Sequence, residues 1–220
     1  MKVLIISQEL WSVRNSGGNV LSNLFDGFDA EFAQIYCSPG TPENKICKHY
    51  YQMTDFMMIN NIFKGKKVGK EILFEEFPRG EEKHVNLTSE NKFYKFFRGH
   101  HWFVFDLMRE MLWKIANWNN NKLDEFILEF KPDIIFAPCY ANHYMLKLTR
   151  HISKLTGVKI ISYISDDHYS LQQFRISILF WFNKFILRSN IRKTFKHYEL
   201  VYTMTEEQML ELTTSLKAKM

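Results

Sequence analysis

The sequence predicts an α/β fold: an open, mostly parallel β-sheet with helices on both faces. Three observations carry this. The chain opens on a short β-branched and leucine run, Lys2-Val3-Leu4-Ile5-Ile6-Ser7, followed by a glycine-containing loop and apolar residues at helical spacing. Comparable apolar runs return at 134–137, 158–164 and 200–204, with helical patterns between them. Strands that alternate with helices in this way build βαβ units, whose sheet is parallel. The composition agrees. With 46% hydrophobic and 24% charged residues, the 220-residue chain is far too apolar to be disordered and is long enough to bury a large core.

The elements follow in order. After the first strand, a polar loop from Gln8 to Gly18 ends in Ser16-Gly17-Gly18, and Val20, Leu21, Leu24, Phe25 and Phe28 then mark a helix, with Gly27 near its end. Phe32 to Cys37 reads as a second strand, closed by the turn Ser38-Pro39-Gly40-Thr41-Pro42. Residues 43–103 give no functional reading. They hold a lysine cluster (Lys64, Lys66, Lys67, Lys70), an acidic cluster (Glu71, Glu75, Glu76, Glu81, Glu82) and a short strand candidate, Ile72 to Phe74. Val104, Leu107, Met108, Met111, Leu112 and Ile115 predict one helix face; Leu123, Phe126, Ile127 and Phe130 predict another. Lys131-Pro132-Asp133 breaks that helix before the strand Ile134 to Ala137. Met145, Leu148, Ile152 and Leu155 mark the next helix, stopped by Gly157 as a C-cap. The strand Val158 to Ile164 follows, then an aromatic helical region from Leu171 to Tyr198, a strand from Leu200 to Met204, and a last helix. Thr205-Glu206-Glu207-Gln208 has the form of a capping box for that helix. With no internal repeat and no linker, residues 1–220 read as one Rossmann-like domain.

Several function classes are disfavoured at once. Cys37, Cys47 and Cys139 are odd in number and lack a Cys-x-x-Cys pair, against a disulfide framework or structural zinc site. Reduced thiols and a cytoplasmic location are the expectation. The N-terminal apolar run is too short for a signal peptide, and no run nears the ~18 apolar residues of a membrane span. Gly65-Lys66-Lys67-Val68-Gly69-Lys70-Glu71 has three residues between its glycines, one fewer than a phosphate loop needs, and Glu71 where Ser or Thr belongs. No Gly-x-Gly-x-x-Gly follows the first strand, against an ordinary dinucleotide site.

In an open parallel sheet, ligands bind beyond the carboxyl ends of the strands. That rule singles out four segments: Gln8 to Gly18, Pro138 to His143, Ser165 to Ser170, and Thr205-Glu206. Gly17 and Gly18 let backbone approach a ligand at a helix N-terminus, where an anionic phosphate suits the free N–H groups; a tight turn without a ligand is the plainer reading. Asp166, Asp167 and His168 form the densest chemical cluster, able to orient a hydroxyl or share a proton, unless an aspartate caps the next helix. Tyr140 and His143 follow another strand. Cys139 beside His143 or His168 has the elements of a nucleophile and base, but a lone cysteine there reads first as a small buried hydrophobe. No residue set has metal-ligand spacing.

The order of these pieces resembles the N-terminal domain of GT-B glycosyltransferases, especially the retaining enzymes of glycosyltransferase family 4. The likeness spans nearly the whole chain. It rests on Lys2 to Ser7, the loop with Gly17-Gly18, Lys131-Pro132-Asp133-Ile134-Ile135-Phe136, Val158-Lys159-Ile160-Ile161-Ser162-Tyr163, and Glu199-Leu200-Val201-Tyr202-Thr203-Met204-Thr205-Glu206. The resemblance implies the acceptor-binding half of a nucleotide-sugar-dependent enzyme that moves a sugar to a hydroxyl, in cell-surface glycan synthesis. Gly17 and Gly18 would approach the donor diphosphate, and Gly18→Asp is expected to abolish transfer without disturbing the fold. Asp167 and His168, with Asp166, would lie near the transferred sugar; Tyr140, His143, Thr205 and Glu206 would edge the cleft. No catalytic metal or other cofactor is implied. The donor-binding second domain, with its Glu-x7-Glu signature, is expected outside this chain, which alone would be inactive.

Basic and aromatic residues interleave in two stretches. Between Ser170 and Tyr198 there is no acidic residue, while Arg175, Lys184, Arg188, Arg192, Lys193 and Lys196 mix with Phe174, Phe180, Trp181, Phe182, Phe185 and Phe195. Lys92, Lys95, Arg98, His100, His101, Trp102 and Phe103 form the second. A buried helix with solvated lysines is the first reading, a peripheral contact with an inner membrane surface the second, and nucleic acid the last. For the whole chain, the competing functional reading is a non-catalytic flavodoxin-like or Rossmann-like ligand-binding or regulatory module.

Overall fold

The computed structural model describes residues 1–13, 15–74, 103–166, 169–171 and 176–216. In chain order the elements are β1 (Lys2–Ser7), α1 (Ser16–Leu24), β2 (Glu31–Tyr36), β3 (Cys47–Gln52), α2 (Asp55–Lys64), β4 (Lys70–Leu73), α3 (Phe103–Ile115), α4 (Asn121–Phe130), β5 (Ile134–Phe136), α5 (His143–Thr156), β6 (Ile160–Ile164), α6 (Ile178–Phe195), β7 (Tyr198–Thr203) and α7 (Glu206–Leu216). The strands form one seven-stranded sheet in the order β4-β3-β2-β1-β5-β6-β7. Every neighbouring pair is parallel except β3 with β4, which closes one edge antiparallel. The chain winds outward in both directions from β1 and β5, the Rossmann-like plan that the sequence predicts.

β1 is apolar from Val3 to Ile6 because both of its faces are covered, as in parallel sheets generally. Val3 and Ile5 point to one side and join Leu21 of α1, its C-cap residue Phe25, Trp11, Phe32 and Phe136. Leu4 and Ile6 point to the other and join Met58 of α2, Trp113 of α3, Leu123 and Ile127 of α4, and Leu148 and Ile152 of α5. A third cluster at the β6–β7 edge gathers Leu187, Ile191 and Phe195 of α6 with Ile164, Val201 and Leu212. The helix stops are local. Gly65 and Gly157 end α2 and α5 in the left-handed region, and Lys131 does so for α4. Gln208 N–H donates to Thr205 Oγ1 at 3.2 Å, while Met204 N–H donates to Gln208 Oε1 at 3.4 Å, so the reciprocal cap forms with the neighbour of the expected residue.

The structure corrects the sequence reading in four places. Ser16, Gly17 and Gly18 belong to the first turn of α1, not to the loop, because Asn15 takes the cap position; the helix ends at Leu24, before Phe28. β3 and α2 fill residues 47–64, where no element was expected, the strand candidate Ile72 to Phe74 becomes β4 at Lys70–Leu73, and the phosphate-loop-like stretch is simply the C-cap of α2 and the entry to β4. The long aromatic region becomes a helix at Ile178 and ends at Phe195. Finally, α3 is rotated from the predicted face. Met108, Met111 and Ile115 are exposed, and Trp113 is buried in their stead. The reason is polar: Asp55 accepts from Trp113 Nε1 at 2.6 Å and from Arg109 Nε at 3.0 Å, which turns that side of α3 inward.

Candidate functional site

The strand order reverses between β1 and β5, and a cavity of about 540 Å³ opens beyond their carboxyl ends. This is the crevice where open α/β sheets take ligands, and its size suits a small molecule. Two walls enclose it.

The first wall is the β1–α1 segment, which supplies Ser7, Gln8, Glu9, Ser16, Gly17 and Val20. Gln34, fully buried in β2, fixes its path. Its Nε2 donates to Ser7 Oγ at 2.6 Å and to the Glu9 carbonyl at 3.0 Å, and its Oε1 accepts from Trp11 N–H at 3.0 Å. Asn15 Nδ2 donates to the Leu10 carbonyl at 2.9 Å, and Trp11 Nε1 donates to Ser22 Oγ at 3.0 Å. Gly17 and Gly18 now separate in role. A Cβ on Gly18 would lie 2.0 Å from the Ser12 carbonyl oxygen, so this glycine exists for close backbone packing. Gly18→Asp would therefore disturb the fold, contrary to expectation. A Cβ on Gly17 would meet Glu9 Oε2 at an ordinary 3.6 Å, on the cavity side. Asn15 Oδ1 already accepts the Gly18 N–H, and the Glu9 carboxylate beside Gly17 disfavours an anion at this end.

The second wall comes from α2, α3 and the segment before α5: Asp55, Phe105, Asp106, Arg109, Pro138, Tyr140 and Asn142. Arg109 is clamped by Asp55 and lies over the Tyr144 ring at 5.0 Å, which in turn stacks on Trp113 at 4.3 Å. One of its nitrogens, Nη2, is buried without a hydrogen-bond partner. Glu110, on the next position of α3, caps α5 from outside: its two oxygens accept from His143 N–H at 2.7 Å and Tyr144 N–H at 3.1 Å. Asn142, the formal cap residue, makes no such bond with its own side chain. Burial pushes the Glu110 carboxyl above its ordinary range, although His143, its N–H, that of Tyr144 and Arg109 all oppose the shift. Phe136, Tyr163 and Ser165 complete the cavity from the ends of β5 and β6.

The predicted site residues divide accordingly. Gly17 and Tyr140 line the cavity. Burial raises the Tyr140 phenol, so it stays a neutral hydroxyl. His143 stands behind Asn142. Asn190 Nδ2 is 3.0 Å from its Nδ1 and Asn183 Oδ1 is 3.0 Å from its Nε2, so α6 holds both ring nitrogens. Asp166 accepts from the Ser165 hydroxyl at 3.1 Å, at the cavity margin. Asp167 and His168 lie outside the described residues, as do Glu75, Glu76, Glu81, Glu82, Phe174, Arg175 and the basic stretch from Lys92 to Trp102. Thr205 caps α7 and Glu206 is exposed in its first turn; neither lines the cavity. Cys139 is buried, and burial pushes its thiol up to about 12, which suits a packing role rather than a nucleophile. Among the described residues, no group of three or more His, Cys, Asp or Glu side chains is placed to hold a metal ion.

The four charged lining residues went unrecognised in the sequence: Glu9, Asp55, Asp106 and Arg109. Glu9 lay within a segment already singled out. Asp106 and Arg109, three apart in a helix that also holds Glu110, were a visible signal of a polar face. In comparisons with known proteins, neither the family models nor the curated sequences give a match.

Proposed function

We propose that the cavity binds the sugar portion of a hydroxyl acceptor, and that the chain is the acceptor-side half of a nucleotide-sugar-dependent glycosyltransferase. The observation that carries this reading is the lining itself: Glu9, Asp55 and Asp106 share it with the rings of Phe105, Phe136, Tyr140 and Tyr163 at the sheet's switch point. Carboxylates accept hydrogen bonds from hydroxyls, and aromatic rings cover the apolar C–H face of a sugar. Among the described residues, Arg109 is the one cation in the lining and is already paired with Asp55, so a diphosphate is poorly matched by this lining. In the complete reaction the acceptor oxygen bonds to the sugar's anomeric carbon as the bond to the nucleoside diphosphate breaks. The hydroxyl proton passes to a carboxylate, for which Glu9 and Asp106 are the candidates on this chain.

The test is calorimetric titration of the chain with free hexoses, N-acetylhexosamines and nucleoside diphosphates. Binding of a sugar, weakened about tenfold or more in Glu9→Gln and Asp106→Asn, is the expected result, because hydrogen bonds to charged groups contribute about 1.5–3 kcal/mol. Tight binding of a nucleotide without a sugar would contradict the reading. A second reading is a self-contained ligand-binding module, favoured by a cavity of about 540 Å³ already formed at the switch point of this sheet. Such a module would bind its small ligand tightly, whereas half of a transferase binds nucleotide-sugar weakly or not at all.

A further inference from the structure

α6 departs from the usual placement of an amphipathic helix on its outward side. Its 18 residues extend about 27 Å. The inward side buries Lys184, Leu187, Ile191 and Phe195. The outward side carries Ile178, Phe182, Phe185 and Ile186 in its first half, then Ser189, Lys193 and Lys196. At 3.6 residues per turn, all seven fall within an arc of about 100°. Ile178 is 87% exposed, Phe182 64% and Phe185 56%, whereas Lys184 is 6% exposed. A solvated helix of a globular protein places its charges outward and its phenylalanines inward. Here one outward stripe is apolar at the amino end and cationic at the carboxyl end.

We propose that this stripe of α6 docks onto an anionic lipid surface. Charge complementarity selects this occupant: the chain from Ser170 to Tyr198 has six Lys and Arg and no Asp or Glu, and Arg192, Lys193 and Lys196 are exposed. The apolar half supplies the side chains that enter the acyl boundary, and the cationic half stays level with the headgroups. Among the described residues, no helix is long and apolar enough to cross a membrane, so α6 lies on the surface. The same helix holds the His143 ring through Asn183 and Asn190, so the docking element also supports the segment that carries Asn142 into the cavity. This inference stands independently of the sugar-binding reading.

Vesicle sedimentation tests it, with phosphatidylcholine alone and with phosphatidylcholine containing a quarter phosphatidylglycerol, at low and high salt. The chain is expected to sediment with the anionic vesicles, less so at high salt, and weakly with the neutral ones. Phe182→Ser/Phe185→Ser should reduce the partition coefficient about tenfold or more. Lys193→Gln/Lys196→Gln should reduce it about fivefold per lysine. All four positions are exposed, and circular dichroism with thermal melting checks that each variant stays folded. A chain that remains in the supernatant with anionic vesicles at low salt overturns the proposal. So does undiminished vesicle binding by folded Phe182→Ser/Phe185→Ser. Self-association that the phenylalanine pair abolishes, without vesicle binding, overturns it in favour of a second copy of this chain.

Discussion

The two walls of the cavity are built on opposite principles. The β1–α1 wall is mostly local: Asn15 caps Gly18 three residues on, Ser38 holds Leu10 across 28 residues, and Cys37 N–H donates to the Gln8 carbonyl at 3.2 Å. The α2–α3–α5 wall is made at long range. Asp55 meets Arg109 and Trp113 across 54 and 58 residues, and Glu110 caps α5 across 33. The first wall is held by neutral hydrogen bonds and backbone contact, the second by buried charge. The first should therefore fail by steric intrusion and the second by loss of a partner.

The largest effect should come from the charged wall. Asp55→Ala leaves the Arg109 guanidinium and the Trp113 N–H without their acceptor, and the side chains of Asp55 and Arg109 are only 11% and 17% exposed. Breaking a buried pair from one side costs about 3–5 kcal/mol. Urea denaturation should show that loss, and a change below about 1 kcal/mol would mean that the ion pair is not buried as described. The local wall should break next, and at one glycine only. Gly18→Ala drives a methyl into the Ser12 backbone and should cost about 1–3 kcal/mol, whereas Gly17→Ala meets an ordinary contact and should change stability by less than about 1 kcal/mol. Equal losses at both positions would erase the distinction between packing and cavity-facing glycine.

A smaller effect, visible in its pH dependence, belongs to Glu110. Its folded-state pKa is raised, so between the ordinary carboxylate value and that raised value the folded chain binds more protons than the unfolded one. Stability from this group is then fully present at and below about pH 4.5 and falls as pH rises through the raised value. Glu110→Gln removes that slope. Denaturation of both proteins from pH 4.5 to 8 should show the wild-type advantage shrinking with pH, and an advantage that grows with pH would contradict the burial-dominated account.

The same contrast explains what the sequence made legible. β1, β2, β5 and β6 were readable because largely buried apolar runs need no distant partner to be recognised; β7, an edge strand with Val201 alone buried, was readable from its aromatic and β-branched residues. α4 was read correctly for a related reason: Leu123, Phe126, Ile127 and Phe130 all face the core. β3 was not, since Cys47-Lys48-His49-Tyr50-Tyr51-Gln52 mixes polar residues into a strand whose tyrosines are buried. α3 was seen as a helix but placed on the wrong face, because Arg109 and Trp113 follow Asp55, a partner no local pattern reveals. Gly17 and Tyr140 reached the cavity from the strand-end rule, while Thr205 and Glu206, chosen by the same rule, did not. α6 has the composition of a buried helix, but its phenylalanines divide: Phe195 packs inward while Phe182 and Phe185 face out.

The central claim is that the cavity between these walls takes a hydroxyl-rich ligand. Amide chemical-shift mapping of the labelled chain during titration with free sugars, and separately with nucleoside diphosphates, tests it most directly. The account predicts that a sugar shifts the amides of Gly17, Tyr140 and Asn142, from both walls at once. Shifts at these amides with a nucleoside diphosphate and none with any sugar would contradict it.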